Sequence, residues 1–349
     1  MEICRALAQQ ASLILMDEPT SSLQRGDIER LFEFIRRLRD SSISVIYISH
    51  FLEEVREVCD RFTVLRDGKS VLSGELESTP NEKVLTAMVG REVRDLFPRH
   101  GAPDVSDVVL EVQNLHAPGI SQVNLELRRG EILGIAGLIG SGRTELVRAI
   151  FGLERVESGS VQLAGRPLPF SGGPESRIAR GVGYLSEDRQ GEGLAGSLSV
   201  ADNVTLTNFK PFARAGWIDL AEQQRRAEQA AGAGVIHVRA RNMSVPVQRL
   251  SGGNQQKVAI ARLLHQECEI FLLDEPTRGV DVGSKAQIYE TIVSLARSGK
   301  AVLMVSSYLP ELFGICDRLA VMSRGRLSPA RPISEWTPET VLNAAIGTT

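Results

Sequence analysis

Cysteine is scarce in this 349-residue chain, and the four cysteines are scattered. Cys4, Cys59, Cys268 and Cys316 form no CxxC pair and have no His/Cys spacing typical of a metal site. A disulfide scaffold is therefore excluded, and the composition fits a reducing compartment. The chain also lacks any apolar run of about 18 residues, which a membrane-spanning helix requires, and its polar start is not typical of a signal peptide. We therefore expect a cytoplasmic protein.

An excess of positive charge is missing too. The 40 Lys and Arg residues are outnumbered by 43 Asp and Glu residues, which gives a formal net charge of -3. Proteins that bind duplex nucleic acid are usually markedly basic, so nucleic acid is not an expected partner. Hydrophobic residues make up 42% and charged residues 24% of the chain, the balance of a soluble globular protein with a substantial core.

One segment of the sequence occurs twice. Asp17–Thr20 (DEPT) recurs as Asp274–Thr277, 257 residues further on, and the same offset aligns Cys59–Arg61 with Cys316–Arg318 without a gap. In each copy an apolar run that ends on the aspartate predicts a buried strand, and a helix and a β-branched strand follow it. Alternating strands and helices of this length predict an α/β fold with a parallel sheet covered by helices.

The two copies differ in length. Only 16 residues precede the first DEPT segment, and Met1 aligns with Val258 inside a predicted helix. The sequence therefore predicts that the chain opens within a repeat unit whose first half is absent. A polar stretch with Pro and Gly (FPRHGAP) follows the first copy and is typical of a linker. We expect the C-terminal part of a first domain over residues 1–96, a linker over 97–106 and a complete second domain over 107–349.

A glycine-rich segment follows the strand predicted over residues 131–136. Residues 137–144 fit the pattern GxxxxGK[ST] of phosphate-binding loops, with arginine in place of the lysine. Glycines let backbone N–H groups surround phosphate oxygens, and the following helix adds a favourable dipole. Taken alone, the segment is also compatible with a structural turn between strand and helix. The residues expected to bind nucleotide are Gly137, Gly140, Ser141, Gly142, Arg143, Thr144 and Glu145.

A second segment of small residues precedes the second DEPT copy. Leu250–Gln256 (LSGGNQQ) leads into a predicted helix, so Ser251, Gly252, Gly253 and Asn254 lie at a helix N-terminus, where an anion can bind. The order of phosphate loop, LSGGNQQ, apolar strand and DEPT resembles that of the ATP-binding cassette (ABC) transporter ATPases. Three segments restrict the resemblance to one group within this family, namely GSGRTE (140–145), SEDR (186–189) and SGGNQQ (251–256). The chain looks like an N-terminally truncated double-cassette ATPase of bacterial ribose, galactose or xylose importers.

This resemblance implies a P-loop NTPase fold. One complete ABC cassette would contain a parallel core sheet with helices, an antiparallel β part and a helical signature subdomain, and the C-terminal part of another cassette would precede it. ATP and Mg²⁺ are the implied cofactors. Thr144 would supply a hydroxyl to the metal ion, and Asp17 and Asp274 would hold its coordination shell. Arg143 would contact the phosphates through its planar guanidinium group, where most phosphate-binding loops use the compact ammonium group of a lysine.

The resemblance also implies catalytic residues. Glu18 and Glu275 would orient or deprotonate the attacking water, and His50 would sense the γ-phosphate. Ser307 occupies the position of this histidine in the second copy, and Glu187 occupies that of the usual glutamine ahead of the signature segment.

Cassettes of this family pair head to tail, so that each ATP lies between one phosphate loop and the signature segment of the other cassette. Asp17, Glu18 and His50 would belong to a first site that Ser251–Asn254 completes. Residues 137–144, Asp274 and Glu275 would belong to a second, weakened site. The resemblance assigns hydrolysis to the first site, whose phosphate loop is missing from the sequence, so we expect impaired ATPase activity.

The implied function is the coupling of ATP hydrolysis to monosaccharide uptake. Integral membrane permease subunits would be direct partners, a periplasmic sugar-binding protein would be an indirect one, and a homodimer is a further candidate assembly. The chain would lie on the cytoplasmic face of the inner membrane. Two alternatives stay open. The first is a nucleotide-binding or assembly module that does not hydrolyse ATP, and the second is a soluble ABC ATPase of DNA repair or translation.

Overall fold

A computed structural model describes residues 11–20, 25–49, 52–66, 68–89, 97–98, 107–232 and 236–347. The chain divides into two compact units. Unit 1 contains residues 1–96 and 281–283, and unit 2 contains residues 97–280 and 284–349. No helix in the described ranges combines the length and the hydrophobicity that crossing a membrane requires. His50, a predicted catalytic residue, lies outside the described residues.

Unit 1 contains a parallel strand pair and an antiparallel hairpin. Its elements are β1 (Leu13–Asp17), α1 (Arg25–Asp40), β2 (Ser44–Ile48), α2 (Leu52–Val58), β3 (Arg61–Arg66), β4 (Lys69–Glu75) and α3 (Asn81–Val89). β1 and β2 pair in parallel, from Leu13 opposite Ser44 to Asp17 opposite Ile48, and β3 and β4 form the hairpin. The apolar stripe of α1 packs on β1, because leucine, phenylalanine and isoleucine recur at helical spacing along it.

β1 is buried on one face only. Two of its apolar residues pack against α1, whereas Leu13 and Leu15 are 46% and 66% exposed. At the equivalent positions of the second copy, Ile270 and Leu272 are 5% and 0% exposed. The prediction of a buried strand is therefore confirmed for the second copy and wrong for one face of the first, where only the alternate residues reach the core.

Unit 2 contains the larger set of elements. The rest of the chain forms β5 (Val108–Ala117), β6 (Ile120–Arg128), β7 (Ile132–Gly137), α4 (Arg143–Phe151), β8 (Ser158–Leu163), β9 (Arg166–Pro167), α5 (Gly173–Ile178), β10 (Val182–Leu185), α6 (Val200–Thr205), β11 (Ala213–Arg214), β12 (Trp217–Ile218), α7 (Leu220–Ala231), α8 (Gly252–His265), β13 (Ile270–Asp274), α9 (Val282–Arg297), β14 (Ala301–Val305), α10 (Leu309–Ile315), β15 (Arg318–Ser323), β16 (Arg326–Leu327), β17 (Arg331–Pro332) and α11 (Pro338–Ile346).

The central sheet of unit 2 has the strand order β10-β13-β14-β7-β15-β16, and β17 also pairs with β15. The first five strands are parallel, and β16 and β17 join β15 antiparallel. Every residue of β13 and β14 is buried, as expected for parallel strands covered on both faces. A second, antiparallel sheet has the order β6-β5-β8-β9, and α6, α7 and α8 pack together as a helical part. The predicted combination of a parallel sheet, an antiparallel sheet and a helical part is confirmed.

Both predicted site helices begin within the segments expected to bind nucleotide. The helix after the glycine loop begins at Arg143, and the helix after the signature segment begins at Gly252. The small residues of the signature segment therefore lie within the first turn of α8, since Ser251 is its N-cap residue.

Candidate functional site

The glycine loop lies between β7 and α4. Gly140 and Gly142 have φ angles of +75° and +106°, a region that glycine adopts without strain. A Cβ atom on Gly142 would lie 2.6 Å from the carbonyl oxygen of Gly119, and one on Gly137 would lie 2.6 Å from that of Met322. The loop backbone is therefore packed too closely for side chains at these positions. This strand, glycine turn and helix form the geometry that a phosphate-binding loop requires.

Asp274 ends β13 at the same edge of the sheet, since carboxyl ends of parallel strands share an edge. The residue is fully buried, and neither of its carboxylate oxygens has a hydrogen-bond partner at ordinary geometry. Burial raises the pKa of Asp274 to about 7, although the hydroxyl of Thr144 acts in the opposite direction. A buried carboxylate without donors is costly unless a cation or a proton satisfies it.

These groups fit a magnesium ion. Mg²⁺ takes oxygen ligands and is commonly held by one or two carboxylates together with substrate phosphates and waters. The two orphaned oxygens of Asp274 and the Thr144 hydroxyl offer such ligands beside the loop. No group of three or more His, Cys, Asp or Glu side chains able to hold a metal occurs among the described residues. The oxygens of Asp274 and Thr144 would be the protein ligands of a metal ion here, and the phosphates of a bound nucleotide would supply others.

Glu275 adopts a left-handed backbone conformation, with φ at +46°, directly after β13. Its backbone N–H donates to the carbonyl oxygen of Val305, and its Oε1 accepts a 2.7 Å hydrogen bond from the backbone N–H of Ser307. Burial raises the pKa of Glu275, and the positive charge of Arg143 opposes this increase. A buried carboxylate with a raised pKa is suited to accept a proton from water.

Arg143 turns its guanidinium group toward the strand ends. Its Nη1 donates a 2.6 Å hydrogen bond to the backbone oxygen of Ser306, and its Nη2 lies 3.6 Å from Oε1 of Glu275. Both side chains of this ion pair are more than nine-tenths buried. Burial lowers the pKa of Arg143, and Glu275 and Asp274 oppose that effect. The positive charge predicted to meet the phosphates therefore also neutralises the predicted catalytic carboxylate.

Two other members of the loop have distinct surroundings. The Ser141 hydroxyl is buried without a hydrogen-bond partner. Glu145 lies in the first turn of α4, where an acidic side chain favours the helix dipole, and a Cβ on Gly119 would lie 3.1 Å from its Cγ. The structure thus brings Gly137–Glu145 together with Asp274 and Glu275.

The signature segment forms a separate group of contacts at the start of α8. The amide of Asn254 donates to the Ser251 hydroxyl at 2.9 Å and accepts from the backbone N–H of Arg239 at 2.8 Å. The carbonyl oxygen of Gly252 accepts a 2.9 Å hydrogen bond from Nη1 of Arg189, and a Cβ there would lie 3.0 Å from the carbonyl oxygen of Gly279. Within the described ranges, no hydrogen bond or ion pair joins Ser251–Asn254 to the glycine loop.

The first copy repeats the backbone of the site with other surroundings. Glu18 has a φ angle of +42°, and its backbone N–H donates to the carbonyl oxygen of Ile48 at 2.9 Å, as Glu275 does to Val305. Asp17 and Glu18 are exposed, whereas Asp274 and Glu275 are buried.

Residues to which the sequence assigned no role surround the predicted ones. Glu187, noted in the sequence at the usual glutamine position, and Arg189 of the SEDR segment lie among them. Arg189 bridges the turn over 189–193 to α8, and Glu187 forms an ion pair with Arg278. Glu311 accepts hydrogen bonds from buried hydroxyl groups near Glu275. Glu54 occupies the equivalent position of the first copy. The identity of Glu54 and Glu311 under the repeat alignment was the signal that could have identified this pair.

Comparison with known proteins agrees with this geometry. Residues 120–278 match the family described as ABC transporter. Ribose import ATP-binding protein RbsA 3 of Rubrobacter xylanophilus is 44% identical over 352 residues, which cover 99% of this chain and 69% of that protein. The putative ribose/galactose/methyl galactoside import ATP-binding protein 1 of Rhizobium etli is 40% identical, with coverage of 99% and 66%. The chain thus spans about two thirds of the length of these relatives.

Solved structures share the fold. A nucleotide-free ATP-binding cassette from an ABC transporter aligns with a TM-score of 0.57 at 20% identity and covers 69% of this chain and 99% of its own. A dimeric ATP-binding cassette bound to ADP and Pi in a post-hydrolysis state aligns with a TM-score of 0.54 at 23% identity, with coverage of 64% and 98%. The predicted cassette fold is confirmed. The chain belongs to the family of ABC transporter ATP-binding proteins.

Proposed function

We propose that the chain binds Mg²⁺ and ATP through unit 2 and acts as the ATP-binding part of a bacterial monosaccharide importer. One observation carries the nucleotide site. Both carboxylate oxygens of Asp274 are buried at the strand end without a hydrogen-bond partner, and the Thr144 hydroxyl is close enough to lower the pKa of this carboxyl group. The import role rests on the relatives, whose names describe import ATP-binding proteins for ribose or galactose. Permease subunits, a sugar-binding protein and a homodimer are the partners that follow from this role.

Each predicted residue has a part in the proposed site. Backbone N–H groups of the glycine loop bind the phosphate oxygens, and Thr144 and Asp274 hold the metal ion, which neutralises charge on the β- and γ-phosphates when bound. Glu275 orients the attacking water and accepts its proton. Asp17 and Glu18 are proposed to play the same parts in unit 1, and His50 is proposed to sense the γ-phosphate. Ser251–Asn254 are proposed to bind a nucleotide phosphate at the start of α8.

A second candidate function has an observation of its own. The buried pair between Arg143 and Glu275 neutralises the carboxylate that would activate water. This contact favours a nucleotide-binding module in which the unit 2 site binds ATP without hydrolysing it.

One experiment separates the two candidates. ATP binding to the full chain is measured with a fluorescent nucleotide in the presence of Mg²⁺, and phosphate release is measured in parallel. If unit 2 hydrolyses ATP, Glu275→Gln lowers the turnover by about 100-fold or more and preserves binding, because general-base catalysis contributes about 10²–10⁴-fold. Binding without turnover in the unaltered chain identifies the non-hydrolysing module. The exposed Glu157, whose change to Gln alters neither quantity, provides the control. A chain that binds no adenine nucleotide refutes both functions.

A further inference from the structure

A buried carboxylate lies behind the predicted catalytic residues. Glu311, on α10, is 1% exposed. Its Oε2 accepts hydrogen bonds from Thr277 Oγ1 at 2.6 Å and from the Tyr289 hydroxyl at 2.8 Å, and its Oε1 accepts one from the Ser306 hydroxyl. The three donors lie on different elements, namely the DEPT turn, α9 and the residue after β14. We call Glu311 and these three hydroxyl groups the carboxylate hub of unit 2.

The hub fixes the turn that contacts the catalytic groups. Ser306 Oγ accepts a 2.9 Å hydrogen bond from the backbone N–H of Tyr308, so the hub closes the turn over residues 306–308. Within this turn, the N–H of Ser307 donates to Glu275, and the carbonyl oxygen of Ser306 accepts from Arg143. Glu311 therefore acts on Arg143 through the turn. It acts on Glu275 through the turn and also through its negative charge, which raises the pKa of Glu275.

Unit 1 contains an equivalent hub. Oε2 of Glu54 accepts hydrogen bonds from Thr20 Oγ1 at 3.0 Å, from the Ser49 hydroxyl at 2.9 Å and from the Tyr47 hydroxyl at 2.8 Å. Thr20, Ser49 and Glu54 align with Thr277, Ser306 and Glu311 under the repeat offset of 257 residues. The carboxylate, the threonine and the serine thus occur in both units.

The tyrosine that donates to the carboxylate occupies different sequence positions in the two units. Tyr289 of α9 aligns with Phe32, whereas Tyr47 of β2 aligns with Met304. Each hub nevertheless has three hydroxyl donors, because a tyrosine reaches the carboxylate from a helix in unit 2 and from a strand in unit 1. Burial and the neighbouring carboxylate raise the pKa of both tyrosines, so both hydroxyls keep the proton that they donate. The number of donors is therefore retained although the donor itself has moved.

We propose that Glu311 is a positioning residue of the nucleotide site in unit 2. In unit 2, Glu311 holds the turn over 306–308, and this turn holds the Arg143 guanidinium group beside Glu275, where its positive charge attracts the terminal phosphate of ATP. This inference rests on the proposed function, and it adds that the hub determines the preference for ATP over ADP. The backbone N–H groups of the glycine loop bind the α- and β-phosphates, which both nucleotides share, so the hub variants should affect this part of the binding less.

The test measures the affinities of the full chain for ATP and for ADP with Mg²⁺. Tyr289→Phe removes one donor hydroxyl and keeps the ring. We expect it to lower the preference for ATP over ADP about fivefold, because a hydrogen bond to a charged group is lost, and to change the ADP affinity less than about twofold. Glu311→Gln should lower the preference further, since it removes the charge that holds all three donors. Tyr289→Phe combined with Met304→Tyr moves the donor to the strand, as in unit 1, and should restore the preference.

The matched control is Thr291→Val. It removes a buried hydroxyl from the same helix, α9, whose partner is the backbone oxygen of Gln287. It should lower thermal stability without changing the preference for ATP. An unchanged preference in Tyr289→Phe, a parallel loss of both affinities, or no recovery in the folded double variant would overturn the positioning role. No nucleotide binding by the unaltered chain would instead refute the proposed function, and with it this inference.

Discussion

At the scale of the single residue, the contacts of Arg143 govern how the unit 2 site receives a phosphate. The planar guanidinium group spans the carbonyl oxygen of Ser306 and the carboxylate of Glu275. The ammonium group of a lysine is compact, so it cannot reach both of these oxygen atoms at once. In Arg143→Lys, the positive charge should therefore be free to bind a phosphate in the glycine loop. ATP and ADP should both bind about three- to tenfold more tightly, because one charge-assisted hydrogen bond to the phosphate is gained.

The check is a titration with a fluorescent nucleotide, with Arg166→Lys as the control. Arg166 is exposed on β9, away from the predicted site residues, so its replacement should leave the affinity unchanged. An affinity equal to that of the unaltered chain in Arg143→Lys would contradict the assignment of the loop to phosphate binding.

Single residues also mark the limit of what the sequence could predict. Asp274 was predictable as a strand-end carboxylate, because an apolar run leads directly into it. The pairing of Arg143 with Glu275 was not, because it depends on the direction of a long side chain across two strands. The repeat alignment singles out Glu311 through its identity with Glu54, but the sequence does not show its three donors, because they lie on three different elements. The roles of the site residues stay predictions until the variants are measured.

At the scale of the element, the turn between β7 and α4 depends on glycine. Gly142 combines a φ angle of +106° with a backbone oxygen 2.6 Å from the position of a Cβ atom. Gly165 has a φ angle of +71° and no atom within 4 Å of that position. Gly165→Ala should therefore cost only the backbone strain, about 1–2 kcal/mol. Gly142→Ala should cost clearly more and should weaken nucleotide binding, because the backbone of Gly119 cannot move aside as a flexible side chain would.

Urea unfolding of both variants measures the difference directly. Gly165→Ala serves as the matched control, since it carries the same kind of strain without the close contact. Equal losses of unfolding free energy in the two variants would show that the loop can relax around a methyl group.

In β1 and β13, the hydrophobic pattern predicts that a strand forms but not how exposed its side chains are. Leu15 and Leu272 align under the repeat and lie in similar apolar runs, yet they are 66% and 0% exposed. Leu15→Ser should change the unfolding free energy by less than about 0.5 kcal/mol, as exposed substitutions usually do. Leu272→Ser should cost about 3 kcal/mol or more, because it leaves a cavity and buries a hydroxyl.

The two leucine variants are compared by the urea midpoints of their unfolding transitions. A cost for Leu15→Ser that matched the cost for Leu272→Ser would mean that this face of β1 is covered in solution. The sequence predicted both strands correctly as strands, but exposure depends on which elements pack beside them, and the apolar run carries no such information.

At the scale of the whole molecule, the order of the motifs was sufficient to predict the family and the cassette fold. Parallel strands that alternate with helices, a glycine loop after one strand and a carboxylate after another allow few arrangements, because strand ends of a parallel sheet share one edge. The boundaries of the linker over 97–106 were inferred from composition and stay a prediction.

The two units should also unfold separately. Among the residues that the structure describes, the core clusters of unit 1 contain six and five buried residues, whereas a cluster of unit 2 contains 27. Since stability grows with buried apolar area, unit 1 should unfold first in a calorimetric scan and unit 2 at a higher temperature.

Bound nucleotide should stabilise unit 2 only, because the glycine loop, Asp274 and Glu275 all lie in it. ATP with Mg²⁺ at 100 times its dissociation constant should therefore stabilise the upper transition alone, by about 2.7 kcal/mol. The same scan with EDTA in place of Mg²⁺ should show a smaller shift, because the phosphates and Asp274 then repel each other. A single transition would contradict the separate unfolding of the units. A shift of the lower transition alone would contradict the assignment of the nucleotide site to unit 2.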